Sequence, residues 1–263
     1  VTTQASSAAS TPKDQVYARV ENVTLRFGEK VVLQKCSLDV REGAITCLIG
    51  LSGAGKSTIL RLLNGLRKPS VGRVTVEGTD LSSLSKRDLI DFRRQIGFAF
   101  QFAALFDSLT IGENIALPLQ EHTKLSKAEI DKKVLETLDS VGLADSRDRM
   151  PSELSGGMLK RAGFARAIVT SPRMVLYDEP TTGLDPIITH LLTDTIKRLR
   201  QRLGGTAVVI SHDLDSIYEM ADYVAMLFEG AIIAYGTVDE IKRSPNPIVQ
   251  QFLQGSEVGP IPL

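Results

Sequence analysis

An excess of charge of either sign is missing from this chain: 31 Lys and Arg stand against 31 Asp and Glu over 263 residues. A general nucleic-acid binder carries a basic surplus, so nucleic acid is not expected among its partners. Cysteine is scarce. Cys36 and Cys47 alone cannot build a disulfide framework or a four-ligand zinc site, and both sit in apolar, strand-like runs where buried thiols are expected. No apolar run approaches the roughly 20 residues of a membrane-spanning helix; the longest, Ala44–Ile49 and Tyr223–Phe228, are strand-sized. An internal repeat and a low-complexity linker are absent too. The remaining composition, 43% hydrophobic and 24% charged, excludes wholesale disorder and fits one large domain or two small ones.

The organisation is uneven along the chain. Val1–Lys13, rich in Ser, Thr and Ala and free of acidic residues, cannot bury enough apolar surface to offset its ordering entropy and is expected to be a loose tail. It fits the stub of a transit peptide and an ordinary bacterial tail equally well. From Val16 the pattern is strand-like, and AITCLI (Ala44–Ile49), MVLYD (Met174–Asp178), TAVVIS (Thr206–Ser211) and YVAMLF (Tyr223–Phe228) are continuous apolar runs, as expected of strands buried on both faces. Helical stretches separate them. One runs from Lys56 to a stop at Gly65, and another follows the capping pair Ser126 and Glu129. The alternation predicts an α/β fold with a parallel core sheet. Residues 244–263 carry prolines at 245, 247, 260 and 262 and are expected to run extended.

Chemistry enters at Gly50–Ser57, which satisfies G-x-x-x-x-G-K-[ST] in full, after a buried strand and before a helix. In such a loop the backbone N–H groups of Leu51, Ser52, Gly53, Ala54, Gly55, Lys56, Ser57 and Thr58 converge on a polyphosphate at the positive end of the following helix. Lys56 would neutralise the β and γ phosphates of ATP, and the Ser57 hydroxyl would ligate Mg²⁺. Asp178 ends a second buried strand, where a carboxylate can hold the Mg²⁺ shell, and Glu179 follows at the strand tip, placed to orient or deprotonate an attacking water. The pairing of these two motifs predicts binding and hydrolysis of a nucleoside triphosphate.

Leu154-Ser155-Gly156-Gly157-Met158 resembles the signature motif of ATP-binding-cassette (ABC) ATPases, with Met158 where glutamine is usual. Other motifs follow in that family's order. Phe27 resembles the aromatic residue that stacks on adenine, Gln101 the Q-loop glutamine, Thr182-Gly183-Leu184-Asp185 the D-loop, and His212 the switch histidine. The resemblance spans roughly Tyr17 to Arg243. It implies a P-loop NTPase cassette over residues 14–243: a RecA-like parallel-sheet core, an N-terminal antiparallel β subdomain, and a helical subdomain inserted at about 101–168. It also implies a homodimer in which ATP lies between the phosphate loop of one copy and Ser155, Gly156, Gly157 and Asp185 of the other. Glu179, His212 and Lys56 take the catalytic roles, and Ser57, Gln101 and Asp178 hold Mg²⁺. Gln101 would report occupancy to an integral-membrane permease, with part of Phe102–Phe106 lining its docking groove. His122 and His190 receive no role.

Within the family, Gln101–Leu119, the SGGM signature and the ending Asn246–Ile261 are similar to the Mla or Mce-associated branch. That branch moves phospholipid between membranes with a permease and an Mce-domain substrate-binding protein, in the bacterial inner membrane or the plastid inner envelope. The expected location is therefore peripheral, on the cytoplasmic or stromal face. An amino-acid or methionine importer ATPase is the alternative that Leu51–Val141 also resembles. Soluble ABC ATPases of repair or translation fit less well, because this chain has neither a long coiled coil nor room for two cassettes.

Overall fold

A computed structural model describes residues 15–262, so the tail expected over Val1–Lys13 lies outside the described residues. Two long strands, β1 (Val16–Phe27) and β2 (Lys30–Arg41), pair as an antiparallel hairpin that closes Phe27 on Lys30. The chain then enters β3 (Ile45–Ile49), the phosphate loop and α1 (Lys56–Leu63). It returns to the hairpin as β4 (Val71–Val76) and β5 (Thr79–Asp80), which complete a four-stranded sheet in the order β2-β1-β4-β5. Helix α2 (Lys86–Arg93) leads into a short strand, β6 (Ile96–Ala99). A helical section follows: α3 (Ile111–His122), α4 (Lys127–Ser140) and α5 (Gly156–Ile168).

The second half alternates strand and helix: β7 (Met174–Asp178), α6 (Pro186–Leu203), β8 (Thr206–Ile210), α7 (Leu214–Met220) and β9 (Tyr223–Phe228). It closes with β10 (Ala231–Gly236), α8 (Val238–Lys242) and α9 (Pro247–Gln254). Six strands form one sheet in the order β10-β9-β3-β8-β7-β6. Its pairings are parallel except for β10 on β9. Every residue of β3, β7 and β8 is buried, and successive residues serve opposite faces. Ile45, Cys47 and Ile49 pack with α3, α4 and α5, whereas Leu48 packs with α1 and the antiparallel sheet. Two-sided burial is why these runs read as continuous apolar stretches rather than alternating ones. Cys36 and Cys47 are free, buried thiols, as expected.

The extended ending expected over residues 244–263 is corrected by α9. Asn246 caps it, its side chain accepting from the Ile248 amide at 2.9 Å, and Pro247 sits in the first turn. A first-turn proline loses no hydrogen bond, because its N–H would have had no intrahelical partner. Val249 is buried, and Phe252 and Leu253 pack on the core. The prolines therefore mark a helix start rather than its prohibition. Strands β6 and β10 were not anticipated.

Candidate functional site

The phosphate loop leaves β3 at Gly50, whose φ of 140° only glycine tolerates readily. A Cβ there would lie 2.1 Å from the Leu227 carbonyl oxygen of β9, so the loop's first residue must also be the smallest. Helix α1 starts after Gly55, itself left-handed at φ 108°, and no side chain caps it. Of the expected amides, that of Thr58 donates to the Gly55 carbonyl at 3.0 Å and that of Ala54 to the Leu51 carbonyl at 3.2 Å, so these two are occupied. Those of Lys56 and Ser57 at the helix start are left for an external anion, which fits a polyphosphate. Lys56 is 5% exposed. Its Nζ donates to the carbonyl oxygens of Gly50 and Leu51, each at 2.8 Å, so the ammonium is strung across its own loop. Burial lowers its pKa, while the charges of Glu179 and Asp178 oppose that shift.

Sheet order brings the second carboxylate motif beside the loop, since β8 alone separates β3 from β7. The Ser57 hydroxyl donates to Asp178 Oδ1 at 2.9 Å. Asp178 is buried, and burial raises its carboxyl pKa; the Ser57 hydrogen bond lowers it, Glu179 raises it, and Arg61 and Lys56 lower it. A hydroxyl and a carboxylate held together are hard oxygen donors of the kind Mg²⁺ prefers, and too few to enclose it without phosphate and water. The residues therefore fit Mg²⁺ bound together with a nucleotide. Among the described residues no group of three or more His, Cys, Asp and Glu could hold a metal.

Glu179 takes a φ of 51°, in the left-handed region that non-glycine residues seldom occupy and that often marks a functional position. Its amide donates to the Ile210 carbonyl of β8 at 3.1 Å, which fixes the backbone. Its carboxylate gathers three groups. Gln101 Nε2 donates to Oε2 at 3.0 Å, Thr182 Oγ1 donates to the same oxygen at 3.3 Å, and His212 Nε2 lies 2.7 Å from Oε1. The structure thus brings Gln101, Glu179 and His212 together beside the Ser57–Asp178 pair and Lys56.

The other expected residues stand apart from this cluster. Phe27 is 42% exposed, with the Arg67 guanidinium over its ring at 5.3 Å. Ser155 caps α5, its hydroxyl accepting from the Met158 amide at 3.4 Å, with Gly156 exposed beside it. A Cβ on Gly157 would lie 3.2 Å from Leu184, so the start of α5 packs on the 182–185 loop. Asp185 caps α6, accepting from the Ile187 and Ile188 amides at 3.0 Å. The contacts of Lys160 and Arg67 are ones that the motifs do not imply. Lys160 Nζ donates to the Thr182 carbonyl and feels the charge of Glu179. No spacing in the sequence marks these two contacts, because they are made with neighbours in space.

A family model described as ABC transporter matches residues 33–182. The chain is 40% identical over 94% of its length, and of the relative's, to the intermembrane phospholipid transport system ATP-binding protein MlaF of Haemophilus influenzae. The MlaF of Escherichia coli K12 is 38% identical, with 92% of this chain and 90% of that one covered. A probable ribonucleotide transport ATP-binding protein, mkl of Mycobacterium leprae, is also 38% identical, over 94% of this chain and 71% of its own. Among solved structures, a dimeric post-hydrolysis state of the ATP-binding cassette MJ0796 bound to ADP and Pi superposes with a TM-score of 0.80 at 31% identity, covering 84% of this chain and 98% of that one. Part of the complex cbiONQ, cbiO1 of Clostridium perfringens, gives 0.78 at 28% identity, covering 87% and 91%.

Proposed function

This chain belongs to the ABC transporter ATP-binding proteins and is an ATPase, and from that premise we propose that two copies hydrolyse ATP between them to power phospholipid movement between membranes. The observation that carries the hydrolytic part is the convergence of Gln101, His212 and Thr182 on the Glu179 carboxylate. Glu179 takes a proton from, or orients, the water that attacks the γ-phosphorus; the bond to the β,γ-bridging oxygen breaks, leaving ADP and phosphate. His212 holds that carboxylate in place and Lys56 neutralises phosphate charge. Ser57, Asp178 and the Gln101 side-chain carbonyl would hold Mg²⁺, which would supply neutralisation of phosphate charge. Phe27 stacks on the adenine.

Ser155, Gly156, Gly157 and Asp185 serve the partner copy's nucleotide. The exposed Ser155 and Gly156 at the start of α5, and the exposed Asp185 that caps α6, support this, because a second helix start is a second anion site. The dimeric, ADP- and Pi-bound structure of the cassette MJ0796 lends a dimer support by likeness. Hydrolysis per subunit should therefore fall on dilution, and a constant rate would overturn the dimer.

No helix among the described residues is long and apolar enough to cross a membrane, and in this reading the chain couples to a separate permease. Ile90, Phe98 and Phe100 line a cavity of about 380 Å³ suited to receive one of its helices, whereas Phe102–Phe106, expected in such a groove, are not among its lining residues. The phospholipid cargo rests on the MlaF relatives, and an Mce-domain partner and a place on the cytoplasmic face of a bacterial inner membrane rest on the resemblance to the Mla or Mce-associated branch. Those relatives are bacterial and lend the plastid alternative no support. The mkl name offers ribonucleotide as a second cargo, less favoured because the chain spans 71% of that protein against 94% of MlaF. Purification from native membranes in mild detergent tests the reading. Co-recovery of a multispanning permease, an Mce-domain protein and phospholipid is expected. A permease with a soluble amino-acid-binding protein would favour the importer alternative instead, and recovery without any permease would overturn the transporter role.

A further inference from the structure

Directly after Gln101 the backbone does something costly. Ala103 and Ala104 have φ of 58° and 52°, so two successive residues with a Cβ occupy the left-handed region that L-residues avoid. Such a turn persists only when its surroundings hold it. Here the surroundings are one face of α5. Arg166 donates from Nη1 to the Ala104 carbonyl at 2.8 Å and from Nη2 to the Ala103 carbonyl at 3.0 Å. One turn earlier on α5, Gly163 leaves room for the loop: a Cβ there would lie 2.7 Å from Ala103 Cα and 2.8 Å from its Cβ. The downstream end is pinned separately by fully buried Asn114, which accepts from the Phe106 amide at 2.7 Å and donates to the Phe106 and Leu109 carbonyls. Phe102, between the clamp and Gln101, is 86% exposed and contributes little restraint.

The upstream end of the same segment is Gln101, whose Nε2 reaches Glu179. The orientation of Gln101 is thus set from behind by α5, the helix that Ser155 begins. We propose that Arg166 is a positioning residue for hydrolysis: its guanidinium clamps the Ala103 and Ala104 carbonyls and so aims Gln101 at Glu179. Arginine suits this task because its planar fork presents two donors in fixed geometry to adjacent carbonyls, which a lysine ammonium cannot span in the same way. The inference rests on the reading of Gln101 and Glu179 given above.

The test is a double-mutant cycle on the full chain, reading kcat, KM and nucleotide affinity. Gln101→Ala is expected to lower kcat. Arg166→Lys should lower kcat by about tenfold, the loss of one hydrogen bond from a charged donor, with KM and affinity changed by less than about twofold. Combining the two should cost no more than Gln101→Ala alone, since residues acting through one another are not additive. Gly163→Ala gives an independent route. It pushes on Ala103 with Arg166 intact, and alanine is the better helix former, so a kcat loss there cannot come from a weakened helix. Multiplying losses in the double variant would overturn Arg166's role while leaving that of Gln101 standing. A silent Gln101→Ala would overturn both.

Discussion

Two helix starts bracket the proposed chemistry, and they are finished differently. Helix α1 begins at a left-handed glycine with no side-chain cap, backed by buried Lys56 and Asp178 and half-buried Ser57 and Glu179. Helix α5 begins at Ser155, which caps its own third amide, and lies exposed. The first start has open amides and a dense set of charges from the same chain around them. The second has a finished cap and solvent before it. In the proposed reading the chain assembles one half of a nucleotide site by its own folding and presents the other half outward. That division suits a site that works only when two copies meet.

The comparison breaks most visibly at Glu179. Glu179→Gln should lower turnover by about 10²–10⁴-fold, the usual worth of a positioned base, while nucleotide binding persists. Steady-state hydrolysis beside a binding titration checks this, and wild-type turnover would remove Glu179 from the role. Lys56→Ala should weaken ATP binding by about 10–100-fold, as expected for loss of a charge-assisted contact. Calorimetric titration measures it, and unchanged affinity would contradict the phosphate assignment.

The α5 start should respond in the opposite sense. Ser155→Ala removes a cap worth about 1 kcal/mol and should cut turnover several-fold at high protein concentration. Nucleotide affinity of the dilute monomer should not move; if it does, α5 serves the nucleotide of its own chain and the proposed division is wrong. The smallest effect is expected at Asp178. Burial raises its pKa above 3.8, so between that value and its native one the folded protein binds the proton that the unfolded chain has lost. Stability therefore falls as pH rises through that window, and at neutral pH the buried charge is a net cost. Asp178→Asn should raise the nucleotide-free melting temperature slightly at pH 7, and the gain should vanish on acidification through the native pKa. A gain that grows in acid would reverse the sign assigned to burial.

How far the fold could be read ahead depended on burial. Strands β3, β7, β8 and β9 are interior to the larger sheet and announce themselves as apolar runs. Strand β6 is only four residues long, one of them Gly97, whose place is dictated by the Ala167 carbonyl 2.2 Å from where a Cβ would sit. Strand β10 carries an apolar run, Ala231–Tyr235, but lies half-buried at the sheet edge and pairs antiparallel, outside the run of buried parallel strands. Asn246-Pro247 looked like an obstacle to a helix and is the start of one. In the site, the phosphate loop was legible because its eight residues are contiguous. Gln101 and His212 were legible only through family resemblance, since they lie 78 and 33 positions from the glutamate they meet.

By itself the sequence determined what local chemistry can determine: the glycines at left-handed positions, the caps at Ser126, Ser155 and Asp185, the buried strands, and the loop that leaves amides open for phosphate. Tertiary structure decided which of those pieces meet. Only the order of strands sets Ser57 against Asp178, only the tip of β7 lets Gln101 and His212 share one carboxylate, and only the packing of α5 reveals that Arg166 holds the turn behind Gln101. The reason is physical. A cap or a turn is an interaction within a few residues, whose spacing is visible along the chain. A clamp or a shared proton acceptor is made by groups whose separation is fixed by how layers pack, and no spacing along the chain records that distance.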